Sequence, residues 1–158
     1  MREYETTFII QPEISDEAIA ELHARLDTVL ERQKAIRLLY DDMGRRKLAY
    51  EIRRFQKGHY WTLFFLDSGA AVPELERTLR LEESVLRYLT VMANDDVQDI
   101  EARRAEAAEQ ERIRAARAAE RAAREAEEAA AAASTDEDDD DSPREGDSDD
   151  DDDADRED

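Results

Sequence analysis

Large apolar side chains stop abruptly in this chain. Beyond Ile100 the 158 residues contain one, Ile113. A hydrophobic core must therefore come from the N-terminal part, whose length suits one domain of modest size. Three zones follow: a globular unit at 1–96, an Ala/Glu/Arg segment at 97–133, and the acidic stretch 134–158. Charge divides in the same way. Residues 1–95 hold 17 acidic and 14 basic side chains, whereas residues 134–158 hold 16 and 2. Most of the net charge of −20 thus belongs to the end of the chain and says little about what the folded part binds.

Within the first zone the apolar period changes repeatedly. Tyr4, Thr6, Phe8 and Ile10 alternate with Glu3, Glu5 and Thr7, the pattern of a half-buried strand. Pro12 ends it, and Ser15 or Asp16 caps a helix whose stripe is Ile19, Leu22, Leu26, Val29 and Leu30. Strand character resumes at Ile36–Tyr40. Gly44 marks a bulge or bend. The strand continues at Lys47–Phe55, and Gln56-Lys57-Gly58 reads as a hairpin turn. His59–Leu66 is apolar on both faces, which fits a central strand and leaves a second apolar face for something to cover. Ser68-Gly69 is a turn, Pro73 suits the first turn of a second helix, and Val85–Met92 is the last strand. The order βαββαβ predicts an α+β, ferredoxin-like sandwich: an antiparallel four-stranded sheet with both helices on one face and the other face open.

The second zone has high helix propensity and opposite-charge pairs four residues apart, such as Glu120 with Arg124. It lacks an apolar heptad seam, so a solvated helix is expected rather than a coiled coil. The third zone has no large apolar residue to offset ordering entropy and is expected to be disordered.

The chain has no cysteine, which excludes disulfides and thiolate metal sites. Its start, "MREYETTF", lacks the apolar run of a signal peptide, and no stretch approaches the roughly 20 apolar residues of a spanning helix. A soluble cytoplasmic protein is expected. Catalytic constellations are missing. His23 borders the first helix's stripe, His59 begins a strand, no Gly-rich phosphate loop exists, and the serines have no evident base. No enzyme activity, cofactor, metal or small-molecule substrate is expected.

The most distinctive stretch is "GRRKLAYEIRRFQKGHYWTLFF", Gly44–Phe65. Arg45, Arg46, Lys47, Arg53, Arg54 and Lys57 stand against one acid, Glu51, with aromatics threaded among them. Cations at this density fit either a strand edge guarded against aggregation or a surface for phosphate. "KGHYWTLF", Lys57–Phe64, loosely resembles the ribonucleoprotein motif of RNA-recognition-motif domains, in which strand aromatics stack on bases. Core packing by Trp61, Phe64 and Phe65 fits it as well.

Four segments together, "MREYETTFIIQP", "GRRKLAYEI", "KGHYWTLFF" and "ESVLRYLTV", resemble the bacterial small-subunit ribosomal protein S6 family over about residues 1–97. The resemblance implies the same βαββαβ fold. It also implies a structural constituent of the small ribosomal subunit that binds the central domain of small-subunit ribosomal RNA together with ribosomal protein S18. RNA contacts carry over to Arg2, Arg46 and Lys47. Charge and position extend them to Arg45, Arg53, Arg54, Lys57 and Arg87, and Trp61 is expected to face the partner protein. The alternative is a free-standing single-stranded RNA binder of the RNA-recognition-motif type. Neither the Ala/Glu/Arg segment nor the acidic stretch has a counterpart in the shortest members of the family it resembles, although acidic C-terminal extensions occur there.

Overall fold

A computed structural model describes the backbone of residues 1–135 and the side chains of residues 1–127. Its elements are β1 (Arg2–Ile10), α1 (Asp16–Arg32), β2 (Ile36–Ile52), β3 (Phe55–Asp67), α2 (Ala71–Leu81), β4 (Val85–Asn94) and α3 (Ile100–Thr135). The strands form one sheet in the order β2-β3-β1-β4, all neighbours antiparallel. This is the expected ferredoxin-like arrangement. Residues Met1–Ala122 form one compact unit.

The first face of the sheet is buried as its alternation predicts. Tyr4, Phe8, Ile10, Leu63 and Phe65 pack against Ile19, Leu22, Leu26 and Leu30 of α1 and Leu75 and Leu79 of α2. The Ser15 hydroxyl caps α1 by accepting from the Ala18 amide at 3.3 Å, with Asp16 and Glu17 in the first turn. At α2 the residue before the helix, Ala70, has no capping side chain. The Asp67 carboxylate takes over, accepting from the Gly69 and Ala71 amides at 2.7 Å each.

Two local expectations need correction. The β2–β3 turn lies at Arg53-Arg54, between the paired residues Ile52 and Phe55, and not at Gln56–Gly58. Both arginines have positive φ, 49° and 71°, the requirement of a tight type I′ turn that Asn-Gly usually meets. Gly58 instead sits inside β3. A Cβ there would lie 2.3 Å from Ile9 Cγ2, so the glycine marks a close approach between strands and not a chain reversal. Gly44 behaves as expected: φ is +80° and the β2–β3 register shifts between Asp42 and Gly44.

The larger correction concerns the second face and the C-terminal helix. The second face, expected to be open, is covered by α3 over its β2–β3 side and stays open beside β4, where Leu89 and Val91 are exposed. The helix expected to be solvated is seated along one side. After β4 the chain turns back across the start of β1. The Val97 amide donates to Met1 O at 2.7 Å, and the Met1 ammonium donates to Val97 O at 3.2 Å. Asp99 caps α3 through the Ala102 amide at 2.9 Å. The helix then runs over the second face. Val97 and Ala107 are buried with Leu38, Leu39 and Leu66, and Ile36, Phe64 and Ile100 pack around them. This is what covers the second face of β3. The compact unit therefore extends past the expected boundary at residue 96. Ser134 and Thr135 belong to α3, and the rest of the acidic stretch expected to be disordered lies outside the described residues.

Candidate nucleic-acid interface

The β2–β3 hairpin runs past the end of β1. Ile10 pairs with His59, and β2 and β3 continue pairing alone from there to the Arg53-Arg54 turn. Arg45, Arg46, Lys47, Arg53, Arg54 and Lys57 are all exposed on it. Among the described residues none of them forms an ion pair, whereas Arg25, Arg37, Arg77, Arg103, Arg104 and Arg112 all do. Lys47 lies directly across from Lys57, and like charges so placed destabilise a sheet. Edge protection needs no such opposition. A polyanion bound across both lysines would offset it.

The structure brings Arg87 to this cluster and leaves Arg2 away from it. Arg87, on β4, donates to the Tyr50 hydroxyl at 2.5 Å and lies 5.8 Å from its ring centre, bridging the outer strand to the hairpin. Arg53 donates to Glu83 O at 3.0 Å, which fixes the turn to the loop before β4. Arg2 donates to Ser68 O at 3.3 Å. It stands at the opposite end of β1, roughly 26 Å from Ile10 at about 3.3 Å per residue. Beside Arg87 a groove of about 480 Å³ is lined by Thr7, Ile9, Tyr60, Tyr88 and Leu89.

Trp61 is half-buried on the face covered by α1 and α2. Its ring meets the His23 ring edge-on at 4.6 Å, and His23 stacks on Tyr40 at 4.0 Å. Burial, aided by the nearby Arg37 charge, lowers the His23 pKa to about 4. His23 is a packed histidine, as its place beside the stripe implied. Asp42 joins the hairpin's base to this region through His59 Nε2 at 2.6 Å. Burial pushes its carboxyl pKa up, but hydrogen bonds from His59 and the Gly44 amide and the charges of His59 and Arg121 outweigh that and hold it low.

Sequence reasoning missed the residues by which α3 meets the sheet. Arg103 donates to both Glu3 carboxylate oxygens, at 2.6 and 3.0 Å. Arg114 bonds Asp41 at 3.0 Å and lies 5.1 Å from the centre of the Phe64 ring. Arg121 donates to Asp42 O at 3.1 Å. The signal was present as a period: Ile100, Arg103, Ala107, Gln110, Glu111, Arg114 and Ala118 are the covered positions among the described residues of α3, spaced as one helix face. A search for leucines passes over it.

Residues 3–92 match the family model for ribosomal protein S6. The chain belongs to that family. Small ribosomal subunit protein bS6 of Trichlorobacter lovleyi is 42% identical over 112 residues, covering 69% of this chain and 92% of that one. The bS6 of Geotalea daltonii is 37% identical over 115 residues, covering 73% and 90%. That of Desulfosudis oleivorans is 38% identical over 112 residues, but only 67% of its length is spanned. Among solved structures, 30S ribosomal protein S6 from Thermotoga maritima superposes with a TM-score of 0.54 at 34% identity, covering 58% of this chain and 86% of that one. S6 is a structural protein of the small ribosomal subunit. Arg103, Arg114 and Arg121 lie beyond the region the family model matches. Among the described residues no helix is long and apolar enough to cross a membrane, and no cluster of metal-ligating side chains occurs.

Proposed function

We propose that the chain is a non-catalytic, RNA-binding constituent of the small ribosomal subunit, held on small-subunit ribosomal RNA together with ribosomal protein S18 and working in the cytoplasm. The observation that carries the RNA contact is the hairpin. Six exposed cations have no carboxylate partner among the described residues, and two of them face each other across the strands. Phosphate oxygens relieve that repulsion, and each cation that meets a phosphate releases a counterion. S18 fits the outer strand β4, where Leu89, Val91 and Met92 stay 66%, 45% and 53% exposed. Trp61 lies two strands from β4 and is not needed there. The seat of α3 over Phe64 weighs against a free-standing binder of the RNA-recognition-motif type, since it removes an aromatic from the face such domains use for stacking.

The test is a titration of a small-subunit ribosomal RNA central-domain transcript at several salt concentrations. Arg46→Ala/Lys47→Ala is expected to weaken binding and flatten its salt dependence by roughly one unit of slope per lost phosphate contact. An unchanged slope would remove these residues from the interface. Leu89→Asp is expected to reduce S18 capture without changing the RNA slope.

A further inference from the structure

At the Gly44 bulge, α3 places arginines next to the hairpin's own. A cavity of about 220 Å³ is lined by Arg46 from β2, by Arg114, Arg117 and Arg121 from α3, and by Asp41 and Asp42. The spacing 114, 117, 121 puts three guanidinium groups on one side of the helix. Two are committed: Arg114 to Asp41 and Arg121 to Asp42. The glycine at the bulge makes room for Arg121. A Cβ at residue 44 would lie 3.0 Å from Arg121 Cζ. The two aspartates are thereby used up in seating the helix. Among the described residues Arg46 donates to the Met43 carbonyl, at 3.2 Å, and to no carboxylate, and Arg117 has no ion-pair partner. Four guanidinium groups around two carboxylates leave an excess of positive charge in a recess that opens beside the exposed hairpin.

We infer that Arg117 and Arg46 form a phosphate-binding site at the junction of α3 and the hairpin, taking a phosphodiester group of the RNA. Guanidinium groups converging from two elements match the oxygens of a phosphate, which accept paired N–H donors. The C-terminal helix is then part of the RNA surface, although it lies outside the region the family model matches and its overall composition is not basic. The inference rests on the proposed RNA-binding reading and adds to it a residue from a different element.

The experiment uses the full chain and the same central-domain transcript, with Arg117→Ala, Arg46→Ala and Arg112→Ala compared at several salt concentrations. Arg112 is an exposed helix residue paired with Glu109 at 3.5 Å and serves as the charge control. Arg117→Ala is expected to weaken binding severalfold and lower the salt slope by about one. Its helix content and melting temperature should match those of the parent. Arg112→Ala is expected to change nothing. If Arg46→Ala lowers the slope and Arg117→Ala does not, the inference fails while the RNA-binding reading stands. Equal losses in Arg117→Ala and Arg112→Ala would reduce the effect to net charge and overturn the site. Retained RNA slope with lost S18 capture would assign it to protein instead. No change in any of the variants would overturn both readings.

Discussion

On one face of the sheet, Phe8, Ile10, Leu63 and Phe65 meet leucines from α1 and α2. On the other, α3 meets Glu3, Asp41 and Asp42 with arginines, around a small apolar patch at Leu38, Leu39, Leu66 and Ala107. The first contact draws on area removed from water and depends little on salt. The second depends on charge pairs of graded burial. Glu3 and Arg103 have side chains 9% and 17% exposed, whereas Arg121 is 41% exposed. Removing one partner of a buried pair is costly, and exposed pairs contribute little. The second face is therefore held chiefly at the Glu3 end and loosens toward the hairpin, where the helix meets the proposed RNA surface.

The largest effect is expected on the first face. Leu26→Ala, at a position with no exposure, should cost about 3 kcal/mol by denaturant titration. A cost below about 1 kcal/mol would mean that the α1 stripe is not what holds the sheet. Arg103→Ala comes next, at roughly 2 kcal/mol, because it strands the buried Glu3 carboxylate. Hydrogen exchange should show α3 opening while α1 stays protected, and Glu3→Gln in the same chain should recover part of the loss. Equal loss of protection in α1 would mean that the two faces do not respond separately.

His23 gives a smaller, pH-dependent contrast. Its folded pKa lies near 4 against an ordinary 6.5, so between those values the unfolded chain binds the extra proton. Stability is complete above pH 6.5 and declines as the pH falls toward 4. His23→Phe should abolish about 1–2 kcal/mol of that decline, allowing for partial solvent screening, as read from the difference between the two pH–stability curves. Parallel curves would show that His23 is not held neutral by burial. The smallest effect belongs to Arg112→Ala, within about 0.5 kcal/mol of the parent. A larger loss would mean that the outer side of α3 also carries contacts.

The same contrast decides how much was legible. Apolar alternation and the stripe Ile19, Leu22, Leu26, Leu30 are written in residue type, so the βαββαβ order and the first core could be read directly. The seat of α3 could not, because its contacts are Arg103 with Glu3 and Arg114 with Asp41, pairs that sequence separates widely and that resemble ordinary solvated charge. Gly58 misled the placement of the turn. A glycine required for approach to Ile9 looks the same in sequence as one required for a reversal, and two arginines give no turn signal. The hairpin cations were legible because they are contiguous. Arg2 was grouped with them by family likeness, although the length of β1 keeps it apart. Arg114, Arg117 and Arg121 entered the picture only once the helix was seen beside the bulge.

The opposition of Lys47 and Lys57 has a consequence for the life of the protein outside the ribosome. A ligand that binds only the folded form adds to its stability in proportion to the logarithm of ligand over Kd. On the proposed reading, part of that affinity is the relief of a repulsion that the free chain retains. Free and assembled molecules then differ in how often the hairpin opens, and local opening is what proteases sample. The same two lysines that favour the RNA would make the unassembled copy the more easily cleaved one.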